Sequence, residues 1–363
     1  TKYGNYLYAV IAGRKVLDLF PEPVPLYGFA VDIGTTTVVS YFYHLKDGKL
    51  CGVKNGISAQ RPFGADVISR IEATIQAGSP EPLQEAILGQ LNGMFASLCS
   101  ECGVDKNQVV AVTIAGNSTM QHLFAGLDPE KIATAPFIQT SSFGTVFTGQ
   151  EVGLEINPAG QVYILPSVSA YVGGDITAGV LACGMHKDAR RALLIDIGTN
   201  GEMALGSKDG LLYCSTAAGP AFEGAHIEDG MGGVDGAISV VKTDDSGRIE
   251  FKTIGGKPSA GICGSGIIDA VAVMLQVGAI DETGRLCDED EIPDSYADRL
   301  VEDKFLIDKE KGIGLTGKDI REVQLAKAAI AAGIETLLHY AGLQVGDIDV
   351  VYLAGGFGSY INK

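Results

Sequence analysis

The sequence predicts an α/β protein made of two duplicated lobes with mixed sheets, and two repeated patterns carry that prediction. The stretch AVDIGTTT at 30–37 returns as LIDIGTNG at 194–201, and each places Asp, Gly and Thr directly after an apolar strand. The stretch VVAVTIAGNST at 109–119 likewise returns as DVVYLAGGFGS at 349–359. A glycine-rich turn alone is a weak signal, but two motifs repeated in the same order indicate a duplicated architecture.

Each predicted lobe begins with three strands in succession and continues with helices. A Lys-Asp-Gly turn joins the second and third strand of each lobe, at 46–48 and 208–210, and such turns favour a hairpin. The strands are predicted at 27–34, 35–45 and 49–56 in the first lobe and at 191–198, 199–207 and 211–219 in the second. The helices are predicted at 65–77, 81–102, 265–278 and 319–342, with a further strand at 162–166 and a helix at 173–182 closing the first lobe.

This pattern divides the chain into three parts. Residues 1–26, with three prolines in PEPVP, are expected to form an entry linker and a hairpin. Residues 27–190 form the first lobe and 191–363 the second, with a nucleotide cleft between them. The first lobe continues past its Ala-Gly strand whereas the sequence stops soon after the second one, so we expect the second lobe to be truncated at its C-terminus.

Composition narrows the classes of function. The 363 residues include 46% hydrophobic residues and carry a net charge of −17, with no cluster of Lys and Arg that would suit a nucleic-acid backbone. No apolar run is long enough to span a membrane. The seven cysteines are scattered, which favours reduced thiols in the cytoplasm. Cys99 and Cys102 form a lone C-x-x-C pair, for which buried or surface thiols are the simpler interpretation than a metal site.

The repeated strand–Asp–Gly–Thr turns have the chemistry of a phosphate and magnesium site. Glycine lets the backbone approach a ligand closely, and the N–H groups and hydroxyls that follow suit phosphate oxygens. Asp32 and Asp196 are the candidate catalytic and metal-holding carboxylates, because Mg²⁺ lets a carboxylate approach phosphate. A hairpin follows each glycine, unlike in a P-loop or a Rossmann turn. The candidate phosphate contacts are Gly34, Thr35, Thr36 and Thr37 in the first turn and Gly198, Thr199, Asn200 and Gly201 in the second.

Four further segments are candidates for nucleotide contacts. Gly355, Gly356, Phe357 and Gly358 end an apolar strand and suit the close packing of a purine and ribose. Gly264, Ser265 and Gly266 open a helix, and Gly219 lies in a Gly-Pro turn near Glu223; both segments are equally explained as caps and turns. Glu202 is a third candidate catalytic carboxylate, with a solvated strand residue as the alternative.

The set DIGTTT, DIGTNGE and LAGGFGS resembles the acetate and sugar kinase, heat-shock chaperone and actin superfamily. The resemblance implies actin-like, ribonuclease H-like lobes, with the first two motifs on the phosphates and Mg²⁺ of ATP and the third on adenosine. Longer runs such as RPFGADVISRI and CSTAAGPAFEGAHIEDGM are similar to the reductive activators of corrinoid proteins. That family implies ATP-dependent reduction of a corrinoid protein of a methyltransferase system from Co(II) to Co(I). It also implies a packed hinge near Gly173-Gly174 and Ala328–Gly333.

Two features depart from that family, and other functions stay open. The family's [2Fe-2S] domain has several closely spaced cysteines near its N-terminus, whereas no residue before Cys51 in this sequence could hold a cluster, so the cluster is expected in the full-length protein and not here. The alternatives are an activator ATPase of a 2-hydroxyacyl-CoA dehydratase, with Cys99 or Cys102 on a shared cluster, a small-molecule kinase, or a nucleotide-switched chaperone or filament subunit. A corrinoid protein is the expected partner, and a homodimer is left open.

Overall fold

The computed structural model describes residues 6–355, which form two compact units that divide between Ala178 and Gly179. Within these residues, no helix is both long enough and apolar enough to cross a membrane.

The first unit contains a two-stranded hairpin, a six-stranded mixed sheet and the helices packed on it. The hairpin pairs β1 and β2, and the large sheet has the order β5-β4-β3-β6-β8-β7. The strands are β1 Tyr8–Ala12, β2 Lys15–Phe20, β3 Tyr27–Ile33, β4 Thr37–His44, β5 Lys49–Ile57, β6 Val109–Gly116, β7 Thr145–Thr148 and β8 Gln161–Ile164. The helices are α1 Val67–Ala77, α2 Glu81–Cys102, α3 Ser118–Phe124, α4 Gly149–Val152 and α5 Gly174–Cys183, the last of which crosses the division between the units.

The second unit contains a four-stranded sheet of order β11-β10-β9-β18 and two three-stranded sheets, β13-β12-β14 and β15-β16-β17. Its first strands are β9 Ala192–Ile197, β10 Gly201–Ser207 and β11 Gly210–Thr216. The others are β12 Ala237–Thr243, β13 Ile249–Thr253, β14 Gly261–Ile262, β15 Leu300–Val301, β16 Lys304–Asp308, β17 Ile313–Thr316 and β18 Val350–Ala354. The helices are α6 Gly264–Gln276, α7 Asp294–Ala297 and α8 Gly317–Ala341.

The predicted duplication is confirmed in strand order and direction. In the first unit β4 is antiparallel to both β3 and β5, and β6 runs parallel to β3. In the second unit β10 is antiparallel to both β9 and β11, and β18 runs parallel to β9. The register also repeats, since Asp32 pairs with Ala115 and Asp196 pairs with Ala354. Each aspartate therefore lies beside the Ala-Gly end of the neighbouring parallel strand.

Local sequence signals fix the ends of the long helices. Asp66 caps α1 in a capping box with Ser69, and Thr316 caps α8 in a box with Asp319. Left-handed glycines end α1, α2 and α8 at Gly78, Gly103 and Gly342, as expected for a residue without a Cβ. The four predicted long helices are thus confirmed, with their ends shifted by at most two residues.

Each unit buries its own core beneath these helices. In the first unit, the ring of Phe29 on β3 stacks between Phe42, at 4.5 Å, and Phe95 of α2, at 3.9 Å between centroids. In the second unit, α8 packs on β10 and β11, while α6 packs on β12. The sheets formed by β12–β17 are not anticipated by the sequence analysis, which found no repeat in that stretch.

Candidate functional site

The first turn, between β3 and β4, is closed by its own backbone. The N–H of Gly34 donates to the carbonyl oxygen of Thr37 at 3.0 Å. A Cβ at position 34 would lie 2.6 Å from that oxygen, so the turn requires glycine. Asp32, Thr36 and Thr37 are exposed, whereas Thr35 is buried. The turn therefore presents hydroxyls and a carboxylate outwards while one threonine anchors it.

Two side chains that the sequence analysis missed hold Thr35 from behind. The guanidinium of Arg70 donates to the Thr35 carbonyl at 2.5 Å, and the amide of Asn117 donates to the Thr35 hydroxyl at 2.9 Å. Asn117 also caps α3, because its Oδ1 accepts from the N–H of Met120 at 3.0 Å. The end of β6 and helix α1 are thus both tied to this turn.

The second turn, between β9 and β10, is also closed by its own backbone, but it is one residue shorter than the first and different side chains contact it. The N–H of Gly198 donates to the carbonyl of Asn200 at 3.0 Å. The hydroxyl of Thr199 donates to Oε1 of Glu223 at 2.8 Å. The segment that follows Gly219 therefore contacts the turn through Glu223, which is not itself one of the predicted nucleotide contacts. Gly201 is buried, and a Cβ there would lie 2.8 Å from the hydroxyl oxygen of Thr216.

Two carboxylates lie side by side next to the second turn. Asp196 and Glu202 pair directly across β9 and β10, so their side chains lie on the same face of the sheet. Glu202 is only 8% exposed, which rules out the solvated strand residue considered above. Burial raises the pKa of Asp196 to about 6. Adjacent carboxylates in a desolvated position are the chemistry that a divalent cation neutralises.

The start of the predicted adenosine motif touches this carboxylate position. A Cβ at Gly355 would lie 2.6 Å from the carbonyl oxygen of Ile197 and 2.7 Å from Oδ1 of Asp196, and the φ of Gly355 is +87°. In the first unit, a Cβ at Gly116 would likewise lie 2.7 Å from the carbonyl of Ile33. The remaining predicted contacts, at 356, 357 and 358, lie outside the described residues.

The other predicted contacts are occupied by packing. Ser265 is buried and its hydroxyl donates to the carbonyl of Ser239 at 2.8 Å. Gly264 and Gly266 are also buried, and a Cβ at Gly266 would collide with the carbonyl of Ile238. These contacts favour the cap-and-packing interpretation of this helix start. Its contact with nucleotide stays a prediction.

The glycines of the predicted hinge are also close-packed. Cβ atoms at Gly173 and Gly174 would collide with the start of α3 and with Gln121, respectively. A Cβ at Gly333, in α8, would collide with Met203. Gly173 therefore requires glycine because its neighbours are backbone atoms, whereas at Gly174 and Gly333 the neighbours are the ends of flexible side chains. The hinge role stays a prediction.

The residues of the two turns fit phosphate and Mg²⁺ in kind. Each turn offers a glycine and hydroxyls, and each follows a strand whose penultimate residue is aspartate. Within residues 6–355, no three or more His, Cys, Asp or Glu side chains converge to form a metal centre. A cation held here would take most of its ligands from water and phosphate oxygens, as Mg²⁺ commonly does.

Comparisons with known proteins agree with this architecture. The family description "RACo middle region" matches residues 27–188, and "C-terminal domain of RACo the ASKHA domain" matches residues 190–363. The chain is 36% identical to the corrinoid activation enzyme RamQ of Eubacterium limosum, over 98% of the chain and 62% of that protein. It is 26% identical to a [Co(II) methylated amine-specific corrinoid protein] reductase of Methanosarcina barkeri, over 93% of the chain and 64% of that protein.

A solved structure identifies the fold. A reductive activator for a corrinoid, iron-sulfur protein superposes with a TM-score of 0.85 and 41% identity, over 96% of this chain and 57% of that one. The fold and the duplicated turns define an actin-like α/β protein of the ASKHA class. The chain belongs to the RACo family, whose middle and C-terminal regions it matches in succession. It spans about three fifths of the length of these relatives.

Replacing Gly355 with alanine tests the close approach to Asp196. We expect Gly355→Ala to lower the melting temperature and to weaken Mg·ATP binding, because the new Cβ would displace the Asp196 carboxylate or the Ile197 carbonyl. Gly346→Ala is the matched control, since a Cβ there meets nothing within 4 Å. Thermal unfolding and calorimetric titration with ATP measure both effects, and equal behaviour of the two variants would contradict the packing argument.

Replacing Asp196 with asparagine tests the desolvated carboxylate. The folded-state pKa is raised to about 6, so the stability associated with the protonated form is lost as pH rises through that value. We expect ligand-free Asp196→Asn to be more stable than the wild type at pH 7.5, by on the order of 2 kcal/mol, and to lose this advantage near pH 4.

The exposed counterpart provides the control for that measurement. Asp32→Asn changes the equivalent residue of the first unit, whose side chain is exposed, and we expect no comparable gain in stability. Urea unfolding at both pH values gives the comparison. An Asp196→Asn advantage that is the same at pH 4 and pH 7.5 would show that ionisation of Asp196 is not its cause.

Proposed function

We propose that this chain is the ATP-binding part of a reductive activator that returns a corrinoid protein of a methyltransferase system from Co(II) to Co(I). The observation that carries the proposal is the repeated turn, with Asp32 beside Ala115 in one unit and Asp196 beside Ala354 in the other. The names of the relatives, an activation enzyme and a reductase of corrinoid proteins, support the choice of target. The turns have groups suited to phosphate and to a cation, and we propose that the ligand that combines the two is Mg·ATP.

In this proposal the chain's own residues bind and orient the nucleotide. The exposed hydroxyls of Thr36 and Thr37, together with backbone N–H groups of the two turns other than those of Gly34 and Gly198, bind phosphate oxygens. Asp196 and Glu202 accept hydrogen bonds from the water ligands of Mg²⁺, and Asp32 orients the water that attacks the terminal phosphate. Glycines 355, 356 and 358, with Phe357, pack on adenosine. Loss of one such electrostatic contact removes on the order of 2–4 kcal/mol of transition-state stabilisation.

ATP enters the cycle because Co(I) is difficult to reach with ordinary cellular donors. One electron reduces Co(II) to Co(I), and we infer that it comes from a [2Fe-2S] cluster that this chain does not itself hold. Nucleotide can change the affinity for the corrinoid protein only if the two nucleotide states contact that partner differently. The coupling is reciprocal for binding: a partner that favours one nucleotide state changes nucleotide affinity by the same factor.

The cysteines support a reducing compartment and argue against a cluster on the C-x-x-C pair. All seven are free thiols, which suits the cytoplasm. Cys99 is buried, and burial raises the pKa of its thiol to about 11, so this thiol is protonated in the metal-free chain. Cys102 is exposed, and its Sγ lies 3.8 Å from the carbonyl oxygen of Cys51.

The proposal predicts that a corrinoid protein raises ATP turnover. Mixed with a corrinoid protein in the Co(II) state, the wild-type chain should hydrolyse ATP faster than alone. Asp32→Asn and Asp196→Asn should each lower that rate by about 30-fold or more. Asp209→Asn, in the exposed turn between β10 and β11, is the matched control and should keep the wild-type rate.

The same assay separates the kinase alternative. If the rate of ATP hydrolysis does not change with any corrinoid protein tested but rises with a sugar or a carboxylic acid, the chain is a small-molecule kinase and not an activator. Unchanged turnover in both aspartate variants would show that the two carboxylates only end their strands.

Iron content separates the dehydratase-activator alternative. We expect the chain purified without oxygen to contain no stoichiometric iron and no visible absorption band, because a cluster of this kind needs four thiolates. The measurement is a colorimetric iron assay together with an absorption spectrum. Stoichiometric iron that disappears in Cys102→Ser would favour a cluster shared between two copies of the chain.

A further inference from the structure

Arg70 is a fully buried cation beneath the first turn. Its side chain is 0% exposed although it lies on α1, only one turn from the helix start. Its Nε donates to the carbonyl oxygen of Gly64 at 3.0 Å, and its Nη2 donates to the carbonyl oxygen of Thr35. Nη1 lies 3.4 Å from Oε1 of Gln60 and 3.0 Å from the sulfur of Met120.

None of these four acceptors carries a charge. Burial without a charged acceptor lowers the pKa of Arg70 to about 10, although the field of Asp66 acts in the opposite direction. A buried charge of this kind is unfavourable unless something offsets it. Hydrogen bonds to carbonyl oxygens offset part of that free energy. A bound anion at the turn above would offset more.

The bond from Arg70 also fixes the direction of a peptide group. In a trans peptide the C=O of one residue and the N–H of the next point to opposite sides. Because the Thr35 carbonyl points inwards to the guanidinium, the N–H of Thr36 points away from it. Thr36 and Thr37, which follow this peptide, are the exposed residues of the turn. Asn117 secures the same threonine through its hydroxyl.

We propose that Arg70 is the positioning residue of the first phosphate turn and supplies a buried positive charge that a bound phosphate chain offsets. This inference rests on the proposed binding of ATP at that turn. Arg70 reaches the phosphate only through the Thr35 peptide, so its effect follows the charge of the ligand. It is absent for adenosine and present for ADP and ATP. Burial protects the interaction from screening by salt.

The test compares ligands that differ in phosphate content. Calorimetric titration with adenosine, ADP and ATP, all in the presence of Mg²⁺, is performed on the wild type and on Arg70→Met. We expect Arg70→Met to weaken ATP binding by about 10- to 100-fold, the range for a charge-assisted hydrogen bond, and adenosine binding by less than 3-fold.

Arg299→Met is the matched control in the second unit. Arg299 is half-buried and donates to the carbonyls of Leu306 and Ile307 at 3.0 and 3.1 Å, so it is another arginine that binds backbone. Burial lowers its pKa as well. Its replacement should lower the melting temperature while leaving the ratio of ATP to adenosine affinity unchanged.

Arg70→Lys keeps the test valid if Arg70→Met fails to fold. A lysine in this desolvated position loses its proton at lower pH than in water. We expect its ATP affinity to fall between pH 7 and pH 9, whereas the wild type stays constant because the guanidinium remains charged.

The outcomes distinguish the two proposals. A wild type that binds adenosine and ATP equally weakly would refute ATP binding itself, and this inference with it. A wild type that binds ATP tightly, with Arg70→Met losing ATP and adenosine affinity by the same factor, would overturn only the role of Arg70. So would an Arg70→Lys variant whose affinity for adenosine falls with pH by the same factor as its affinity for ATP.

Discussion

The parallel pairing of β3 with β6, and of β9 with β18, is the constraint on which the rest of the structure depends. This pairing brings the Ala-Gly end of one strand against the Asp-Ile-Gly end of the other, with Gly116 on the Ile33 carbonyl and Gly355 on the Ile197 carbonyl. A side chain at either glycine would force the strands apart at the point where the turns begin. In each unit, the close contact between a glycine and the carbonyl at the end of the neighbouring strand therefore sets the register of that strand pair and the position of the turn.

Much of this arrangement follows from local sequence. The turn at Gly34 requires glycine, and the helix ends follow from capping residues such as Asp66 and Thr316. Such signals act within a few residues, so a repeated local pattern predicts a repeated local structure. The strand order repeats because similar strand sequences pair with similar neighbours in both units.

What the sequence did not reveal depends on contacts distant along the chain. Asn117 reaches Thr35 across 82 positions, and Glu223 reaches Thr199 across 24. Arg70 left one local signal: it shares the buried face of α1 with Ile71 and Thr74, where a cation is unexpected in an amphipathic helix. The sheets of β12–β17 left none, because their short strands carry no repeated motif and pair through distant segments. Ser265 and Gly266 show why a local signal can leave two interpretations open, since a helix start that suits a phosphate also suits close packing on β12.

The duplication preserved the order and direction of the strands but neither the backbone of the two turns nor their surroundings, since Gly34 donates to Thr37 whereas Gly198 donates to Asn200, one position earlier in its turn. Behind the first turn lie uncharged carbonyls and the cation of Arg70, while its aspartate is exposed. Beside the second turn, Asp196 pairs with Glu202 across two strands, and Glu223 accepts a hydrogen bond from Thr199. A positive charge behind a turn attracts an anion directly. Adjacent carboxylates repel an anion unless a cation lies between them. The two copies therefore differ in the charge that surrounds them, which is positive behind the first turn and negative beside the second.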